Sequence, residues 1–193
     1  MMRRFLPVVL ALAGTVQAAT TPFGIPLTAT LPDLQAMDGT FMPGPNVWIV
    51  ARPPQPDARF EAVLVQYSPT FGVCAVSAMQ RVKSDETGAG ARQALDALRA
   101  ELERTYGPAI PLDRLNEGSR LTSPRQWLAG VTARERLYSA AWLAGKQALP
   151  EDLSGVIMNV STGRTTRDVF VTVQYRVAAY ELCMTDPGTS AAS

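Results

Sequence analysis

Histidine is absent from this chain of 193 residues. Its absence excludes Ser-His-Asp and Cys-His catalysis, histidine-ligated zinc and haem held by a histidine. Lysine is scarce: Lys83 and Lys146 are the only two, so nearly all positive charge is arginine, scattered along the sequence. A Ser-Lys catalytic pair would need one of these lysines beside a serine and shielded from water. Lys146 stands among loop-forming residues instead. Cysteine occurs twice, as Cys74 and Cys183, without the C-x-x-C spacing of a thiol redox centre. Long apolar runs are missing too, since none approaches the ~20 residues that span a bilayer.

What the chain does have, at its start, is the order of a secretory signal peptide. Arg3 and Arg4 precede an apolar run from Phe5 to Ala13, and Val16-Gln17-Ala18 places small residues where a signal peptidase reads them. Residues 1–18 are therefore expected to be removed, leaving a mature chain that begins at or near Ala19, periplasmic or secreted. No cysteine near that point offers a lipid anchor, and no integral membrane segment is expected after cleavage. In an oxidising compartment a lone cysteine pair is most simply a disulfide. A Cys74–Cys183 bond would pin the C-terminal segment onto a central strand. It closes a loop of ~110 residues, worth at most roughly 4–5 kcal/mol by the chain-entropy relation.

The whole chain carries 18 basic and 17 acidic residues; without residues 1–18, which hold two arginines and no acid, its formal charge is −1. That balance lacks the basic stripe of a nucleic-acid-binding surface. Residues 19–185 suit a single domain with a substantial core, and residues 186–193 (DPGTSAAS) read as a disordered tail.

Local signals divide the domain into helices and strands. Thr30 as N-cap, Pro32 in the first turn and Asp33 as capping-box acid predict a short helix stopped by Gly39. Residues 42–46 (MPGPN) form a turn. Strands are predicted at 47–51, 60–68 and 72–83, the last two as a hairpin through SPTFG. Leu95, Leu98, Leu102 and Tyr106 recur at helical spacing from Ala89 onward, and Gly107-Pro108 stops that helix. Residues 108–122 read as mostly loop. Ser123, Pro124 and Gln126 start another short helix that carries Trp127 and Leu128 and ends near Gly130. Residues 134–144 suit either a continuation of that helix or a strand, with the strand favoured, and residues 155–163 and 169–177 complete the strands. The order predicts an α+β fold, with an antiparallel sheet of about six strands in two groups and helices packed on one face.

Several residues invite chemistry. Trp48, Trp127 and Trp142 are candidate binding residues, because aromatic faces suit sugars and peptides as well as cores. Residues 84–92 (SDETGAGAR) place glycines between a strand and the long helix, where anions bind. They match no phosphate-loop pattern, however, and Asp85 and Glu86 repel phosphate. Asp85/Glu86 and Glu151/Asp152 are adjacent acids, whereas a glycosidase needs two carboxylates facing each other across roughly 5–10 Å. Asn159-Val160-Ser161 matches a glycosylation acceptor but falls within a predicted strand. No catalytic set, cofactor or metal site is expected.

Residues 23–27 (FGIPL), 31–34 (LPDL), the GVC opening of the 72–83 strand, the Tyr106-Gly107 helix end and residues 123–128 (SPRQWL) also form a combination. In it the chain resembles small secreted bacterial proteins of unassigned function. The opening helix followed by strands is remotely similar to modules of the outer-membrane assembly lipoprotein and beta-lactamase-inhibitor type. The chain departs from the lipoproteins by lacking their lipidated cysteine. The resemblance implies protein binding instead of catalysis. The expectation is an exported soluble protein, not an enzyme, that binds a protein or envelope ligand noncovalently. The alternative is a histidine-free hydrolase using carboxylates in a cleft.

Overall fold

The computed structural model describes residues 20–42, 47–163 and 168–186. The proposed signal segment, most of the turn at 42–46 and all but the first residue of the proposed tail lie outside the described residues.

Two helical segments start where capping chemistry places them. Helix α1 (Leu31–Ala36) opens on a capping box, with the Thr30 backbone N–H donating to Asp33 Oδ2 at 2.8 Å. Helix α2 spans Ala89–Tyr106 and buries Ala91, Leu95 and Leu98 on the stripe read from the sequence. Its start is crowded. A Cβ at Gly88 would meet the Trp127 ring at 2.0 Å, and one at Gly90 would meet the Lys83 carbonyl oxygen at 2.1 Å, so both positions need glycine. Helix α3 (Trp127–Thr132) follows a one-turn 3-10 segment whose Ser123/Gln126 capping box is formed. Helix α4 (Tyr180–Thr185) carries Cys183.

The strands are β1 (Gly39–Met42), β2 (Val47–Val50), β3 (Ala62–Ser68), β4 (Gly72–Val82), β5 (Ile110–Leu115), β6 (Arg136–Leu143), β7 (Leu153–Thr162) and β8 (Val169–Val177). They make one antiparallel sheet in the order β1-β2-β3-β4-β8-β7-β6-β5. The sheet thus has eight strands, not about six. The two extra ones are its edges, where burial gives least pattern to read. Gly39, taken as a helix stop, instead begins β1. In β5, five of six residues are exposed, so no apolar alternation marks it, and Pro111 is tolerated because the strand lies on an edge.

Register sorts the side chains onto two faces. On the first face a buried row runs Val50, Val63, Ala78, Val173, Met158 and Ala140 across six strands. A parallel row runs Trp48, Val65, Val76, Tyr175, Val156 and Trp142. Side chains of α2 and α3, and the backbone of Gly107 at the end of α2, meet residues of the first face. The Tyr138 hydroxyl donates to Asp96 at 3.0 Å, Trp142 Nε1 donates to the Gly107 carbonyl at 2.7 Å, and Trp127 meets Tyr138 edge-on at 5.6 Å. The second face alternates with the first. One of its rows, Leu64, Ser77, Gln174, Ile157 and Ala141, mixes apolar and polar residues and is only partly buried.

Helix α4 attaches at one end of this arrangement. Cys74 and Cys183 form a disulfide with a Cα–Cα distance of 6.1 Å. Cys74 is an extra residue in β4, since Ala75 pairs with Gln66 while Val73 pairs with Tyr67. Nearby, the Ser68 hydroxyl donates to Asp186 at 2.5 Å and the Arg176 guanidinium stacks on Tyr180 at 4.1 Å. No helix among the described residues is long and apolar enough to cross a membrane.

Candidate functional site

Strands β6 and β7 do not stay together. They pair from Leu143 with Gly155 as far as Ser139 with Asn159, and no further. Beyond that point Arg136, Leu137 and Tyr138 pair only with β5, while Val160, Ser161 and Thr162 pair only with β8. The sheet therefore forks at one corner, and the ladder that would join these six residues is missing. Because backbone donors and acceptors of a sheet are normally paired, a fork leaves edge groups facing whatever fills it.

The end of α3 and the turn after it form the floor. Thr162 Oγ1 donates to Thr132 Oγ1 at 3.1 Å, and Thr132 Oγ1 donates to the Leu128 carbonyl at 2.9 Å. Arg134 holds a left-handed backbone, φ 59°, which is uncommon for a residue with a side chain. Its N–H donates to the Val131 carbonyl and its carbonyl accepts from Asn116 Nδ2 at 3.3 Å, which together fix the turn. The resulting cleft has a volume of about 490 Å³. Among the described residues its charged lining is Arg114, Arg134 and Arg136, without an acid, and Asn159, Ser161 and the exposed Leu137 also line it.

The three arginines differ. Arg136 is held: its guanidinium donates to Asp113 at 2.6 Å and its side chain is only 17 % exposed. It also lies 5.9 Å from the centre of the Trp127 ring, which Arg92 approaches to 5.5 Å. Arg136 Nε, Arg92 Nε and Trp127 Nε1 are all buried without an acceptor among the described residues. Of these three only Arg136 lines the cleft. Arg114 and Arg134 are exposed at the cleft and have no ion pair among the described residues.

A second hollow, of about 530 Å³, lies beside the proline-rich loop at 51–60 and is lined by Ile49, Phe60, Asp57 and Glu61 among others. Both acids are engaged. Asp57 accepts from Arg59, which also binds Glu101, and Glu61 accepts from Arg81 at 3.1 Å. Hydrogen bonds from Arg59 hold the Asp57 and Glu101 carboxyls below their usual range.

The residues singled out in the sequence are dispersed. Trp142 is fully buried between the sheet and the end of α2, beside Tyr106. Trp127 is 5 % exposed under its two arginines, and Trp48 packs on Phe41 near the opposite edge. No ring contact joins any two of the three among the described residues. The glycine-containing 84–92 turn already holds an anion of its own, since Asp85 Oδ1 accepts from Thr87 Oγ1 at 2.7 Å and the Ala89 N–H at 3.2 Å. These bonds lower the Asp85 pKa. Asp152 binds Thr20 through both its N–H and its hydroxyl, and Glu86 lies 3.8 Å from Arg125. Among the described residues no group of His, Cys, Asp or Glu could hold a metal ion.

Sequence reasoning missed the fork and its arginines. Arg114 lay in a stretch read as loop, and Arg134 and Arg136 looked like part of a general scatter. Pairing Leu137 with Arg114 brings them to one corner, an arrangement that only the β5–β6 register discloses. Asn159 and Ser161, noted for a glycosylation pattern, stand on the other bank. No protein-family model, curated protein or solved structure matches this chain.

Proposed function

We propose that this protein is exported and acts by noncovalent binding, and that its binding surface is the forked corner of the sheet. The observation that carries the reading is the open cleft between β6 and β7, lined among the described residues by three arginines and no acid. In this reading α2 and α3 cover the first face, α4 caps one end of the second, and the fork is left as a preformed concavity. Ligand sites are typically concave, with apolar walls and a few convergent polar groups. Export is supported by the leader-like residues 1–18 and by the Cys74–Cys183 disulfide, which persists most readily in an oxidising compartment. The partner is a protein or envelope ligand; near-neutral total charge favours a local recognition patch over broad electrostatic docking.

Two measurements test this. Cell fractionation with N-terminal sequencing is expected to find a periplasmic chain starting at or near Ala19; an uncut cytosolic chain would contradict export. Capture from envelope extract is expected to recover a ligand on the native chain and lose it on Leu137→Asp, which sets an acid on the cleft rim. A ligand held equally by both would place binding elsewhere.

A further inference from the structure

We infer that the fork binds a phosphate group, one carried by a small phosphorylated organic molecule. This rests on the reading of the fork as the binding surface and adds the chemistry of what enters it. The charge balance comes first. Among the described residues three arginines line the cleft, and the Asp113 carboxylate pairs with one of them, Arg136. Two positive charges remain among the described residues, on Arg114 and Arg134, with no acidic residue in the lining that they form. A phosphate monoester carries about −1.5 to −2 near neutral pH, which matches that surplus. A lone carboxylate carries one charge and two oxygens, too few to match the charge of both guanidiniums.

Geometry points the same way. Arginine presents a planar fork of donors suited to phosphate oxygens. Arg114 comes from β5 and Arg134 from the turn after α3, so the two approach from different elements, as the oxygens of a tetrahedral group require. The Arg134 backbone is held in the left-handed region by bonds to Val131 and Asn116, which fixes the origin of one guanidinium before any ligand arrives. The space also exceeds a bare phosphate. Leu137 offers apolar wall, and Asn159 and Ser161 offer donors and acceptors for hydroxyl groups on the carbon body.

The test is calorimetric titration of the full chain with inorganic phosphate, glycerol phosphate and glycerol, alongside sedimentation with phosphatidylglycerol and with phosphatidylcholine vesicles. Glycerol phosphate is expected to saturate one site and glycerol to give no signal. Arg114→Ala and Arg134→Asn should each weaken binding about tenfold while melting with the native chain, because both side chains are exposed and asparagine tolerates the left-handed backbone. Arg114→Lys should recover part of the loss, since it restores charge without the bidentate fork. Arginine-dependent sedimentation with phosphatidylglycerol alone would assign the phosphate to a lipid headgroup. Absence of phosphate-dependent signal in every arm, or equal binding by the arginine variants, would overturn the inference. Leu137-dependent capture of a ligand without phosphate would overturn it too, yet leave the fork standing as the binding surface.

Discussion

Strand β7 has two different neighbours, and the contrast between them explains the molecule. Towards β8 it pairs from Leu153 to Thr162, almost its whole length. Towards β6 it pairs only between Gly155 and Asn159. On the paired stretch Val156 and Met158 are fully buried between Val173, Tyr175, Ala140 and Trp142. Three residues beyond Met158, Ser161 lines an open cleft together with Arg114 and Arg134, which have no ion pair among the described residues. One strand thus supplies core and candidate site in succession, with stability concentrated in the zipped part and unspent donors in the forked part.

The contrast is open to attack by mutation. The largest effect is expected at the bonded end: replacing Cys74 and Cys183 together by serine should cost about 2–5 kcal/mol in denaturant unfolding, because the bond constrains a long loop. It should leave ligand binding at the distant fork unchanged in the fraction still folded. Next comes Met158→Ala, which deletes a fully buried side chain at the centre of the sheet and should cost about 2–4 kcal/mol. Leu137→Ala, on the fork rim and 39 % exposed, should change stability by less than about 0.5 kcal/mol. Equal costs for these two would erase the distinction between centre and corner.

A smaller effect concerns acid. Asp57 and Glu101 have pKa values lowered chiefly by hydrogen bonds from Arg59. A lowered folded-state pKa means a contribution that is full above the ordinary carboxylate range and vanishes as pH falls through the lowered values. Arg59→Ala should therefore reduce stability at neutral pH by no more than about 1 kcal/mol, given the exposure of the pairs. At pH near 2 the variant and the native chain should converge, as unfolding curves at both pH values would show.

Much of the interior was legible because burial writes itself into residue order. Alternation of Val169, Val171 and Val173 marked β8, and the Leu95–Leu98 stripe with its glycine stop marked α2. Capping boxes at Thr30 and Ser123 fixed two short helices. The edges were illegible for the opposite reason. β5 buries almost nothing, so Ile110–Leu115 carries no pattern, and β1 is four residues beginning at a glycine. Missing β5 meant missing the site, because Arg114 meets Arg134 and Arg136 only through the pairing of β5 with β6. The tryptophans drew attention by residue type, but two of them are buried and serve packing, with Trp127 also backing Arg136.

Amide hydrogen exchange, resolved residue by residue with and without glycerol phosphate, tests the forked corner most directly. Those amides of residues 136–138 and 160–162 that face the fork should exchange far faster than the amides of 156–158 and 171–173 in the free protein, and should slow when ligand is added. Uniformly slow exchange along β7, unchanged by ligand, would mean that β6 and β7 close in solution and that no binding cleft exists there.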